Sequence, residues 1–176
     1  RYIGIGISVF NERTGYGASA FAARGMGITP GFEQTNIEMS PSGEVIVRIG
    51  ACPHGQGLRT TLTQIVSDII GIDPSMIRIV YGDTDQTPYG WGTFASRSIV
   101  ISGGATKKAA DNLAEKIKTT ASLLLQCNVE DIKLNQGKAS KKNDSADISF
   151  KELARSVYHS SHNTKDLIGF SLDASG

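Results

Sequence analysis

Two short runs carry the residue types from which a ligand cradle can be built. The first is His54-Gly55-Gln56-Gly57; the second is Gly92-Thr93-Phe94-Ala95-Ser96-Arg97-Ser98. Gln56 offers an amide that both donates and accepts, and Gly55 and Gly57 leave bare backbone that another molecule can approach closely. Thr93, Ser96 and Ser98 bring hydroxyls and Arg97 a guanidinium fork, with Phe94 and Ala95 between them. If each run opens a helix, unpaired N–H groups and the positive end of the helix dipole join the set. Phosphates and the hydrogen-bonding edge of a heterocycle are then the matching ligands. Two plainer roles stand beside this one: Gly55 and Gly57 suit a tight turn, and Ser96 and Ser98 suit helix caps.

Other candidates are weaker. Asp83 and Asp85 flank Thr84 after a predicted strand, but no glycine and glutamate follow at calcium-loop positions, so side-chain turns are the expected role. His54, His159 and His162 have no partners at ligand spacing. No nucleophile elbow, phosphate-loop lysine motif or G-x-G-x-x-G is present, so neither a catalytic set nor a metal set is assigned. The only cysteines, Cys52 and Cys127, lie far apart; reduced thiols in a cytoplasmic protein are the default, with one disulfide left open. A net charge of +1 gives no case for a nucleic-acid or membrane-surface partner. Lys138 and Lys141-Lys142, beside Asn143-Asp144, read as a solvated hairpin tip. No apolar run approaches the roughly 18 residues of a membrane span.

The elements that must position the two runs follow from periodicity. Tyr2 to Phe10 reads as a strand, and 11–32 is too rich in Gly and Ala to assign. Phe32 to Met39 and 44–49 read as strands joined by the turn Pro41-Ser42-Gly43. Leu58, Leu62, Ile65, Val66, Ile69 and Ile70 fall on one face of a helix over 58–70, capped by Gly71. A strand is predicted over 76–81 and a long loop over 82–98. A helix over about 100–126 then carries Ala105, Ala109, Leu113, Ile117, Ala121, Leu124 and Leu125 on one stripe and stops at Asn128. Ile132 to Leu134, a turn at Asn135-Gln136-Gly137 and a return to about Ile148 read as a small hairpin. Ser149 and Glu152 form a capping-box pattern that opens a short helix to about Tyr158. The order predicts a two-layer α+β fold. The chain ends on Asp173-Ala174-Ser175-Gly176 without an evident closing element, and both ends suggest a piece cut from a longer polypeptide.

Taken jointly, HGQGLRTTLTQIVSDIIGI, IRIVYGDTDQTPYGWGTFASRS and the helix start GGATKKAA resemble the molybdopterin-binding region of molybdenum hydroxylase large subunits. That family includes the xanthine dehydrogenases, aldehyde oxidases and carbon monoxide dehydrogenases. The opening RYIGIGISVF and the hairpin-helix segment from Val129 to Tyr158, with Ser-Phe-Lys-Glu-Leu-Ala, extend the likeness over nearly the whole chain. The form Thr-Asp…Pro-Tyr-Gly…Gly-Thr…Ser-Arg-Ser looks most like bacterial carbon monoxide dehydrogenase-type large subunits.

The resemblance implies a single fragment, 1–176, of a larger molybdopterin-binding domain, with a hairpin-helix subregion at about 128–160. It implies that Gln56, with Gly55 and Gly57, binds the pterin, and that Thr93, Phe94, Ala95, Ser96, Arg97 and Ser98 line its other side and its phosphates. The implied cofactor is molybdopterin with molybdenum, in a cytosine-dinucleotide form. The implied partners are the rest of the large subunit, an FAD-binding medium subunit and a 2Fe-2S small subunit. The complete enzyme would oxidatively hydroxylate aldehydes, N-heterocycles or carbon monoxide. The family's catalytic glutamate has no counterpart here, since Glu130 and Glu152 stand in the wrong places, and Cys52 and Cys127 do not match its cysteine-bearing loop. The segment alone is therefore expected to be inactive. The rival reading is a non-enzymatic α+β scaffold or small-ligand module.

Overall fold

The computed structural model describes residues 2–10, 14–142 and 144–176. Residues 11–13 and Asn143, which fall in the Gly/Ala-rich stretch and the lysine-bearing loop, lie outside the described residues. A short helix α1 (Ala18–Ala22) precedes the hairpin β1 (Thr35–Met39) and β2 (Val45–Ile49). Helix α2 (Leu58–Ile70) carries the chain to β3 (Ile77–Val80), and the long helix α3 (Ser98–Leu125) follows. Next come β4 (Ile132–Asn135), β5 (Lys138–Lys141), β6 (Asp147–Ser149), α4 (Phe150–His159) and β7 (Asp173–Ser175).

The main sheet runs β3-β2-β1-β7. Antiparallel register sets Ile37 opposite Val47 and Met39 opposite Val45. Strict alternation buries Thr35, Ile37 and Met39 on β1 and Val45, Val47 and Ile49 on β2, so one face of the hairpin is apolar. That face packs against Leu62, Val66 and Ile70 of α2 and Ala109, Leu113 and Ile117 of α3, giving two layers. On the opposite face Arg48 reaches Glu38 at 2.9 Å. Because α2 leads from β2 to β3, these two strands pair in parallel. The C-terminal end of β2 and the N-terminal end of α2 are thereby fixed at one edge of the core.

The helix over 58–70 is found as read, and Gly71 is its left-handed C-cap. Helix α3 begins two residues earlier than expected, so Ser98 lies inside it, and it closes at left-handed Gln126 before Asn128 is reached. Its stripe holds at Ala109, Leu113, Ile117 and Ala121, but Ser98, Ser102, Thr106 and Thr120 are buried beside them. The hairpin after α3 is a three-stranded sheet, β4-β5-β6, turning at Gln136 and Gly137. The capping box is present, with Ser149 N–H donating to Glu152 Oε2 at 3.1 Å and Glu152 N–H to Ser149 Oγ at 3.2 Å. Lys138 pairs with Asp147 across this small sheet, and Lys141 pairs with Asp144 in the loop that follows β5.

Two expectations are corrected. Tyr2 to Phe10 forms no strand: neither sheet offers it a ladder, and its apolar side chains are exposed. A period-two pattern reports suitability for a sheet, and pairing decides whether one forms. The chain also does have a closing element, since β7 pairs antiparallel with β1, Glu38 opposite Asp173 and Asn36 opposite Ser175. No helix among the described residues is long and apolar enough to cross a membrane.

Candidate functional site: two loops around one cleft

The first loop leaves β2 at Ile49 and enters α2 at Leu58. His54 N–H donates to Gln56 Oε1 at 2.9 Å, so the glutamine carbonyl closes its own turn. Its Nε2 donor group has no hydrogen-bond partner among the described residues. Gly57, at the N-cap, is left-handed with φ 82°, and no side chain caps the helix. The first N–H groups of α2 are consequently open to a ligand. A Cβ at Gly55 or Gly57 would meet nothing within 4 Å among the described residues. These glycines serve the backbone conformation (φ 110° and 82°) and leave clear space above it, not a tight contact with protein.

The second loop leads into α3. Ala95 and Ser96 are both left-handed, φ 47° and 56°, a conformation that costs a non-glycine residue of order 1 kcal/mol and needs support from its surroundings. Support comes from Tyr16 N–H on Ser96 O at 3.2 Å, Arg97 N–H on Phe94 O at 3.2 Å, and Ser98 Oγ donating to Thr93 Oγ1 at 3.0 Å. The Phe94 ring stands 6.2 Å from Phe21, centroid to centroid.

The two loops face each other across a cleft of about 500 Å³. Gln56, Thr93, Phe94, Ala95, Ser96 and Ser98, all expected from the sequence, line it. Gly55 and Gly57 adjoin it at the entry to α2. Thr14, Gly15, His54, Leu58, Thr61 and Ile99 also line it and were not expected. Thr14 and Gly15 reach it because Tyr16 is tied to Ser96, a link between distant segments that no local pattern announces. A larger hollow of about 740 Å³ lies at the seam between Gly71 and the Gln136-Gly137 turn, but neither elbow contributes to it.

Arg97 is placed differently from the expectation that it presents its fork to a ligand. Its side chain is 0% exposed and absent from the cleft wall. Nε donates to Pro30 O at 3.0 Å, Nη2 to Phe32 O at 2.8 Å, and Nη1 to both Glu33 Oε1 and Gly92 O. The guanidinium is spent inside the protein, with Glu33 as its counter-ion. The sequence reading places Glu33 inside the strand from Phe32 to Met39 and gives it no role, because its partner Arg97 lies 64 positions away.

Asp83 behaves as a turn residue: Oδ1 accepts Asp85 N–H at 3.0 Å, and its carbonyl accepts Thr87 Oγ1 at 2.7 Å. No group of three or more His, Cys, Asp or Glu suited to a metal ion occurs among the described residues. Cys52 and Cys127 are free thiols.

A family model described as "Molybdopterin cofactor-binding domain" matches residues 1–174. The chain belongs to this family. It is 36% identical over 154 residues to the 6-hydroxypseudooxynicotine dehydrogenase complex subunit gamma of Paenarthrobacter nicotinovorans, covering 88% of this chain and 18% of that protein. It is 34% identical over 161 residues to the carbon monoxide dehydrogenase large chain of Hydrogenophaga pseudoflava, covering 91% and 19%. The crystal structure of quinoline 2-oxidoreductase from Pseudomonas putida 86 superposes with a TM-score of 0.80 at 30% identity, covering 93% of this chain and 21% of that one. The chain thus spans about a fifth of the length of the relatives it matches.

The cleft fits such a cofactor in its chemistry. An uncapped helix N-terminus, a free amide donor and a row of hydroxyls match phosphate and pterin edges. The open volume above Gly55, Gly57 and Gly92, where a Cβ meets nothing, leaves room for the ligand to approach.

Proposed function

We propose that residues 1–176 act as one cofactor-binding segment within the large subunit of a cytoplasmic molybdenum hydroxylase. The observation that carries this reading is the meeting of Gln56 and the Thr93–Ser96 loop around a single cleft. Gln56 Nε2 would donate to the pterin edge while its Oε1 keeps the turn with His54. The N–H groups opening α2 and the Thr93 and Ser96 hydroxyls would hold phosphate oxygens. Phe94 and Leu58 exclude water from the apolar part of the cleft. When bound, the cofactor supplies the oxidising centre at which an aldehyde, an N-heterocycle or carbon monoxide is hydroxylated. The substrate-side base belongs to another part of the subunit, and this segment's share is binding, orientation and electrostatics.

We assign the cytosine-dinucleotide form of the cofactor from the resemblance to carbon monoxide dehydrogenase-type subunits. On the same basis, electrons leave through 2Fe-2S and FAD groups carried by partner subunits. The test is elemental and nucleotide analysis of the complex purified from its source. Stoichiometric molybdenum with cytidine nucleotide released on acid hydrolysis is expected; a complex without molybdenum overturns the reading.

A further inference from the structure

Glu33 lies outside the cleft, yet it touches the root of both loops that form it. Its Oε1 accepts the N–H groups of Trp91 and Gly92, each at 3.0 Å, as well as the Arg97 guanidinium. Its Oε2 has no hydrogen-bond partner among the described residues and is packed between two glycines. A Cβ at Gly50 would stand 3.0 Å from Oε2, and one at Gly90 would collide with it. Gly50 follows β2 and starts the run to Gln56; Gly90 starts the run to Thr93. The two backbones approach so closely here that a Cβ on Gly50 would stand 2.8 Å from Gly90 Cα. Arg97, from the other side, joins Gly92 O to the carbonyls of Pro30 and Phe32. Both side chains are 0% exposed.

We propose that Glu33 and Arg97 are a buried positioning pair that sets the separation of the two lips of the cofactor cleft. The inference rests on the cofactor-binding reading above. A buried pair of this kind contributes little net stability when intact, and its hydrogen bonds fix geometry instead. Through Gly92 and Arg97 the pair holds the left-handed Ala95-Ser96 turn at one lip, and through Gly50 it sets where the other lip begins. Neither residue touches the cofactor in this arrangement.

The test uses the intact complex carrying Glu33→Gln, Arg97→Lys or Gly90→Ala in the large subunit. The glycine variant leaves both charges in place and adds one methyl against Glu33, so it serves if an ion-pair variant fails to assemble. Molybdenum content is measured, together with amide exchange in cofactor-free complex from molybdenum-starved cells. Expected are an about 10- to 100-fold weaker retention of molybdenum in all three variants, the range typical of lost outer-shell support. Faster exchange is expected in both 52–57 and 92–98, with β1 and β2 unchanged. Loss of molybdenum in Arg97→Lys alone, with Glu33→Gln and Gly90→Ala fully loaded, makes Arg97 a direct ligand and overturns the proposal. Exchange rising equally in β1 and β2 makes the pair a general fold element and overturns it too. A wild-type complex without molybdenum defeats the functional reading; a loaded wild type with unaffected variants defeats only the positioning pair.

Discussion

Thr35 and Thr106 share a hydroxyl–hydroxyl hydrogen bond of 3.1 Å inside the core, joining the first residue of β1 to the third turn of α3. Both are 0% exposed. Replacing either one by valine leaves the other hydroxyl buried without its partner, at about 1–3 kcal/mol. Replacing both removes the need for a partner, so the double variant should lose less than the sum of the singles. Urea midpoints of the three variants, read by a probe local to this segment, give the coupling. Additive losses would show that each hydroxyl finds another partner.

Gln56 separates two roles that its amide combines. Gln56→Ala removes the acceptor that closes the His54 turn and the free donor in the cleft. Gln56→Glu keeps the acceptor and removes the donor. If the donor pairs with the cofactor, Gln56→Ala should weaken retention by about 5- to 100-fold, corresponding to roughly 1–3 kcal/mol. Gln56→Glu should be worse, since a carboxylate adds repulsion toward phosphates while the turn survives. Molybdenum content and melting temperature of the purified complexes check this. Loaded Gln56→Glu with depleted Gln56→Ala would mean that only the turn matters.

Tyr158 ties the end of β1 to the segment before β7: its hydroxyl donates to Met39 O at 3.0 Å and accepts Leu172 N–H at 3.2 Å. Burial raises its pKa above the ordinary value of 10.0, against the lowering effect of the Leu172 bond; Asp173 and Glu38 add to the rise. The folded-state value lies above the unfolded one, so the native state favours the neutral phenol. That stabilisation is complete below about pH 10 and disappears as pH climbs through the folded-state value. Tyr158→Phe should cost about 1 kcal/mol at neutral pH and flatten the alkaline limb of the melting-temperature profile. An alkaline limb identical to wild type would place the sensitivity elsewhere.

Where a local rule sufficed, the sequence was readable. Helix α2 has both its apolar period and its Gly57 and Gly71 ends in one window, and Ser149 with Glu152 marks α4 within four residues. The cleft was half legible. Gln56 and the Thr93–Ser98 run advertise polar groups at helix starts, and these starts converge because both strand-to-helix exits lie at one end of the core. Glu33, Thr14 and Gly15 were not legible, since each acts through a partner distant in sequence. Arg97 was noticed for its charge and assigned to a ligand; only the packing around it shows that Glu33 and three carbonyls already use the guanidinium. Tyr2 to Phe10 misled for the opposite reason, because alternation can be present where no neighbouring strand is.

Strand β1 lies between β2 and β7, and the two arrive at very different moments of synthesis. β2 emerges from the ribosome almost together with β1 and can pair at once. β7 emerges only after α3, the small sheet and α4 have all been made. Until then the outer edge of β1, from Asn36 to Glu38, presents unpaired N–H and C=O groups that any passing strand can use. The three residues Asp173–Ser175 are the ones that close this edge, so the open edge exists only for the interval before they arrive.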